Sequence, residues 1–320
     1  MKKRMKKLVG MLLVTVLVLS VMVTGCSKED NKNASKDQVQ ETQQATETTY
    51  PITVTDSFGS EVTVDAEPQK VISVAPNISE LIYQLDAGDK LVGRTDYCDY
   101  PEEVTSVESI GSMNEPNIEK IVSLEPDVVV TSTHFSEENF NKLNDLGITV
   151  IELYNENSVD GVYSIIEILG KVLNKQDVAV ATINEMKEKE EAVVSAVKDL
   201  DKPTVYYVVG FGEFGDYTAG GDTFVGNLLT MAGGENVAAD VSGWNYSLES
   251  LLAKDPDIII LSASAGTKDS FMTANGYQDL TAVKNGQVYE IDNNLLDRQG
   301  YRNAQGLEEL AKIIHPDAFK

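Results

Sequence analysis

Cysteine and histidine are nearly missing from this 320-residue chain, which carries only Cys26, Cys98, His134 and His315. So few soft and imidazole donors exclude a binuclear or Cys/His metal centre, and no metal site of the protein's own is expected. Basic residues are also scarce, with 26 Lys and Arg against 51 Asp and Glu for a net charge of −25. Residues 1–25 hold five of those bases and no acids, so the remainder sets 21 bases against 51 acids, a net of −30. A body that acidic repels polyanions, which excludes nucleic acid as a partner and argues against adsorption on anionic lipid. No G-x-S-x-G elbow and no P-loop occurs, and two histidines offer little for general base work. Paired acids such as Asp96 and Asp99 are what an enzymatic reading would have to use.

What the chain does have is a repeat. Residues 117–132, NIEKIVSLEPDVVVTS, align without a gap on residues 247–262, SLESLLAKDPDIIILS, at an offset of 130. Glu119 falls on Glu249, Pro126 on Pro256, Asp127 on Asp257 and Ser132 on Ser262. Each copy predicts a short amphipathic helix, a Pro-Asp corner and a β-branched strand buried on both faces, as in a parallel sheet covered by helices. One copy in each half predicts two lobes of similar construction.

MKKRMKK followed by LVGMLLVTVLVLSVMV has the form of a secretory signal, ending in VTGC at residues 23–26. That tetrapeptide resembles the bacterial lipoprotein cleavage box, which makes Cys26 the expected lipidation site and leaves Cys98 without a disulfide partner. Two acyl chains on one cysteine suffice for stable anchoring, each buried methylene contributing about 0.8 kcal/mol. Residues 26–50 are polar and serve as a flexible tether. From Pro51 the pattern predicts a hairpin around Phe58-Gly59, a strand in KVISVA, and a helix SELIYQLDA opened by a capping box of Asn77 and Glu80. Strand and helix then alternate through residues 51–175, the mark of a doubly wound lobe with its crevice beyond the carboxyl ends of the strands. Residues 176–200 contain no Pro or Gly and predict a rod of about 37 Å, long enough to pass between lobes. Residues 201–320 form the second lobe, with a Gly- and aromatic-rich loop at GFGEFGDYTAGGDT.

The segments KVISVAPNISEL, VGRTDYCDYP, NIEKIVSLEPDVVV, AGGENVA and SLESLLAKDPDIII, in this order and spacing, resemble the helical-backbone (class III) solute-binding lipoproteins of ABC importers. This family includes cobalamin-binding and ferric-siderophore-binding proteins, and the resemblance covers about residues 50–316. It implies an α/β fold of two doubly wound lobes joined by one long backbone helix, with the solute clamped between the lobes. It also implies a monomer held by lipid on the extracytoplasmic face of the cell membrane. That monomer would deliver a metal chelate, ferric siderophore or cobalamin, to a dimeric permease with its ATPase subunits. No cofactor beyond that cargo is expected. Haem, or a chelate-processing enzyme of similar fold, is the alternative.

By position, the resemblance makes Glu119 and Glu249 the acids that dock onto arginines of the two membrane subunits. It makes Tyr97 and Trp244 aromatic walls against the ligand, and Arg298 and Arg302 its polar or cationic contacts. Phe211, Phe214 and His134 are further candidates for the cleft. Where the cobalamin protein has more tryptophans, this sequence has Ser112 or Met113 and Ser132. Cys98 lies between Asp96 and Asp99 and is either a soft metal contact or an idle thiol.

Overall fold

The apolar run after each Pro-Asp corner becomes the third strand of a four-stranded parallel sheet. The computed structural model describes residues 47–154 and 157–320. The expected signal segment, Cys26 and nearly all of the tether lie outside them. Within Gln44–Lys320, a single compact unit, a hairpin of β1 (Ile52–Thr55) and β2 (Glu61–Val64) turns at Gly59. The first lobe follows as β3 (Val71–Ser73), α1 (Pro76–Gln84), β4 (Leu91–Arg94), α2 (Ile118–Ser123), β5 (Val128–Thr131), α3 (Glu137–Asp145), β6 (Val150–Glu152) and α4 (Val159–Val172). After α5 (Gln176–Val197) the second lobe comprises β7 (Thr204–Val208), α6 (Phe224–Met231), β8 (Glu235–Asn236), α7 (Leu248–Lys254) and β9 (Ile258–Ser262). It closes with α8 (Lys268–Thr273), α9 (Thr281–Lys284), β10 (Val288–Ile291), α10 (Asn294–Asp297) and α11 (Asn303–Ile314).

The sheets are ordered β4-β3-β5-β6 and β8-β7-β9-β10, and every pairing in them is parallel. Numbered within its own lobe each is 2-1-3-4, so the repeat occupies the same strand of the same topology twice. Its local structure is also duplicated. Asn117 and Ser247 cap α2 and α7 by accepting from the amides of Lys120 and Ser250. Glu125 and Asp255 both turn the chain with positive φ. Asp127 accepts from the amides of Gln69 and Lys70, and Asp257 from the amide and hydroxyl of Thr204. Each repeat aspartate therefore bolts the start of the first strand of its sheet to the start of the third.

α5 is 22 residues long, about 33 Å. Its buried stripe of Ala179, Ile183, Met186, Glu190, Val193 and Val197 runs at alternating three- and four-residue spacing. Packing against α4 on one side and α11 on the other places it between the lobes. A Cβ on Gly170 of α4 would stand 2.5 Å from Cβ of Ala179, so the two helices approach as closely as glycine permits.

One sequence expectation fails in an informative way. α1 begins at Pro76 with Ala75 as its N-cap, and no side chain caps it. Asn77 and Glu80 form no capping box. Asn77 donates to the carbonyl of Gln299 at 3.2 Å, and Glu80 accepts from Arg298 at 2.8 Å, both reaching the segment after β10. Nor does the long helix alone join the lobes, since Asn227 of α6 also donates to the carbonyl of Asn157 at 2.7 Å.

Candidate functional site

In an open sheet of order 2-1-3-4, the connections leave strands 1 and 3 in opposite directions, and a crevice opens beyond their ends. Here the crevices of both lobes face a cavity of about 420 Å³. His134 enters it from beyond β5 and Asn157 from beyond β6, while the second lobe supplies Val209, Thr223, Phe224 and Trp244. Leu296, Asp297 and Gln299 close its floor. The lining is thus an apolar and aromatic surface from the second lobe with amide, hydroxyl, imidazole and carboxyl groups spaced around it, the mixture that holds a small ligand in one orientation.

Trp244 is held by its backbone. Its carbonyl accepts from Thr218 at 2.8 Å, and the amide of the preceding Gly243 donates to Asp222 at 2.7 Å. Gly220 lies under this strap, where a Cβ would stand 2.5 Å from the carbonyls of both Val241 and Gly243. The Ser242 hydroxyl and the Gly243 amide hold the Asp222 carboxyl below the usual range. The indole is therefore presented by a fixed loop although 41 % of the residue's surface is exposed. His134 sits at φ 73, a left-handed conformation uncommon outside glycine, and its Nδ1 lies 3.0 Å from the Thr133 hydroxyl.

A second cavity, also about 420 Å³, adjoins the floor and is lined by Asp99, Tyr100, Asp292, Asn294, Arg298 and Arg302 among others. Arg298 bonds Glu80 at 2.8 Å and Asp99 at 2.7 Å. Arg302 lies 3.5 Å from Glu80, 3.8 Å from Asp292 and 4.2 Å over the Tyr100 ring. Burial pushes the Glu80 carboxyl up, against the downward pull of the two guanidinium groups. Two cations are thus matched by three carboxylates.

Of the expected aromatic and cleft residues, the structure brings Trp244 and His134 to one cavity. It places Arg298 and Arg302 in the other, already engaged with acids. Tyr97 is 55 % exposed and lines neither cavity. Phe211 packs edge-on against Phe271 and Tyr277 at centroid distances of 5.0 and 5.5 Å, a support beneath the glycine-rich loop. The side chain of Phe214, like Cys26, lies outside the described residues. Cys98 is buried, with Sγ 3.1 Å from the Ser79 hydroxyl and 3.3 Å from that of Thr95, inside the first lobe. Glu119 and Glu249 occupy the exposed first turns of α2 and α7. Sequence reasoning missed Asn157, Thr223 and Phe224, and it missed Glu80 because an acid three residues after an asparagine reads as half of a capping box, whereas the helix starts at Pro76 and puts Glu80 beyond its first turn. Among the described residues no group of three or more His, Cys, Asp or Glu is arranged to hold a metal ion. No described helix is long and apolar enough to cross a membrane.

A family profile described as periplasmic binding protein matches residues 71–295. The chain is 35 % identical over 324 residues to the ABC transporter substrate-binding lipoprotein YvrC of Bacillus subtilis (strain 168), covering 99 % of this chain and 100 % of that one. It is 29 % identical to a cobalamin-binding protein of Halobacterium salinarum, covering 83 % and 74 % of the two chains. Among solved structures, a possible iron-binding, periplasmic solute-binding protein of Staphylococcus epidermidis superposes with a TM-score of 0.70 at 25 % identity, over 78 % of this chain and all of that one. A periplasmic heme-binding protein of Roseiflexus shares the fold with a TM-score of 0.72 at 22 % identity, over 78 % and 99 %. These relatives are solute-binding proteins, and their likeness spans both lobes and the helix between them. The chain belongs to the periplasmic binding protein family, as a substrate-binding protein of an ABC transporter.

Proposed function

We propose that the protein captures a metal chelate between its lobes, on the Trp244 face, and hands it to a membrane permease without transforming it. The observation that carries this reading is the cavity shared by the strand ends of both lobes, with Trp244 on one side and His134 on the other. A flat ring gives a rigid chelate apolar contact at little entropy cost, and the surrounding amide and hydroxyl groups fix its orientation. Cavities of this size lie toward the small end of ligand sites, roughly 300–1,000 Å³, so a large chelate is gripped over part of its surface.

Among chelates, the corrinoids are favoured. The charge of Arg298 and Arg302 is met by Glu80, Asp99 and Asp292, so these two arginines offer no surplus charge to an acidic siderophore. A periphery of neutral amides, as in cobalamin, demands none, and cobalamin is what the halobacterial relative is named for binding. Because Trp244 is the sole tryptophan, its emission reports on the site directly. Titration of the purified protein with cobalamin, cobinamide, haem and a ferric hydroxamate should give saturable one-to-one quenching with a corrinoid. Quenching by none, or catalytic turnover of any of them, would overturn the proposal.

The proposed setting is a monomer anchored through lipid on Cys26, serving a permease of two membrane subunits with its ATPase. Glu119 and Glu249 make charge-assisted bonds to arginines of those subunits. Replacing both glutamates should abolish uptake while leaving chelate binding intact, and a loss of binding would refute the assignment.

A further inference from the structure

The equivalence of α2 and α7 extends beyond their glutamates and their caps. Ile121 and Leu251 point into the lobes and are fully buried, yet the next residues, Val122 and Leu252, are 41 % and 40 % exposed. Each lies three residues after its glutamate, hence on the same helix face. Neither glutamate has an ion pair among the described residues, whereas Lys120 beside Glu119 is turned away to Glu108 at 2.8 Å. A lone exposed aliphatic residue needs no explanation. The same acid-plus-aliphatic pair at equivalent places of two duplicated elements, each aliphatic residue about two-fifths in solvent, does.

We propose that Val122 and Leu252 are docking residues. With Glu119 and Glu249 they form two like contacts, each fitting a membrane subunit that presents an arginine beside an apolar side chain. This rests on the docking role proposed for the glutamates and adds what makes that role effective. An exposed ion pair contributes little, and an apolar neighbour that excludes water from it on binding strengthens it. A second copy of the chain does not fit this face, because a net charge of −25 would bring unpaired acids against acids.

The test measures affinity of the lipoprotein for its permease–ATPase complex in nanodiscs across a salt titration. Val122→Ser and Leu252→Ser should each weaken binding about tenfold and leave the salt dependence unchanged. Glu119→Gln and Glu249→Gln should weaken it and flatten that dependence. Pairing Glu119→Gln with Val122→Ser should cost less than the sum, as for coupled neighbours. Thermal melts should match the parent in all variants. Unchanged affinity in both serine variants overturns the proposal; if the glutamine variants still weaken binding the docking reading stands, and if they do not it falls as well. Loss of self-association in sedimentation, with permease affinity intact, would make the face a self-contact and also overturn it.

Discussion

Arg298 of the second lobe donates to Glu80 of the first at 2.8 Å, bridging residues 218 positions apart in the chain. Glu80 is 3 % exposed and Arg302 also approaches it, so the carboxylate is the hub of an ionic clasp across the lobes. Breaking a buried pair from one side costs roughly 3 kcal/mol or more when it strands the other charge, but here Arg298 keeps Asp99 and Arg302 keeps Asp292. Glu80→Ala should therefore lower unfolding free energy in chemical denaturation by less than about 3 kcal/mol. Glu80→Gln with Arg298→Gln should cost less than the two single changes together. Strict additivity would mean the pair is not coupled.

The clasp also bears on specificity. Asp99 is the exposed member, with 62 % of its side chain in solvent, and it shares Arg298 with Glu80. Asp99→Asn should free part of that guanidinium charge. Affinity for an acidic ferric siderophore should then rise several-fold while that for a neutral corrinoid stays put, as competitive titrations would show. No selective change would mean that Arg298 does not face the ligand.

Acid conditions should stabilise this protein before they unfold it. Burial raises the carboxyls of Glu80, Glu152, Glu190 and Asp297. A carboxyl raised in the folded state binds its proton more readily there than in the unfolded chain. Its contribution to stability is full below the ordinary carboxylate range and is lost as pH rises through the raised value. Hydrogen bonds lower Glu67, Asp222 and Asp255, whose contributions run the other way and vanish as pH falls below about 4. Relief of the net charge of −25 adds to the first effect. The melting temperature should be higher at about pH 5.5 than at about pH 8 and should fall below about pH 4. A monotonic decline from pH 8 downward would contradict this.

Trp244 depends on Asp222, which ties down the strap at Ser242 and Gly243. Asp222→Ala should leave the fold and melting temperature close to the parent but weaken ligand binding. Trp244 fluorescence should lose anisotropy, and the Gly243 amide should exchange faster with solvent. An unchanged anisotropy would mean the loop is held by its backbone ladder alone.

His134 sits in a left-handed conformation that glycine adopts without strain. His134→Gly should raise stability or leave it unchanged, by at most about 1 kcal/mol, while reducing chelate affinity. His134→Ala should lose both. Equal affinity in all three proteins would remove His134 from the site.

The sequence read the fold well where pattern and topology coincide. The repeat predicted two like lobes because β-branched runs such as Val128–Thr131 and Ile258–Ser262 have few other uses. The backbone helix was legible because no Pro or Gly interrupts residues 176–200, although the helix stops at Val197. The site was less legible, since contacts between lobes join segments 70 to 222 residues apart. Asn77 and Glu80 satisfy a local capping rule and are used over long range instead. Phe211, which composition places in a ligand loop, turns inward because Phe271 and Tyr277 offer it a drier contact. Asn157 and Thr223 carry no signal in their residue type, and only the strand order brings them to the crevice.

The tight seating of α5 also bears on how cargo enters and leaves. With Gly170 and Ala179 already at contact distance, any bend in that helix must crowd one neighbour and open a void beside the other. The spine therefore behaves as a stiff leaf spring rather than a loose joint, and the jaws flex by small amounts around a nearly fixed gape. A passenger is held by the fit of its surface and not by a door shutting over it. Prising it free is work that falls to the machinery beneath.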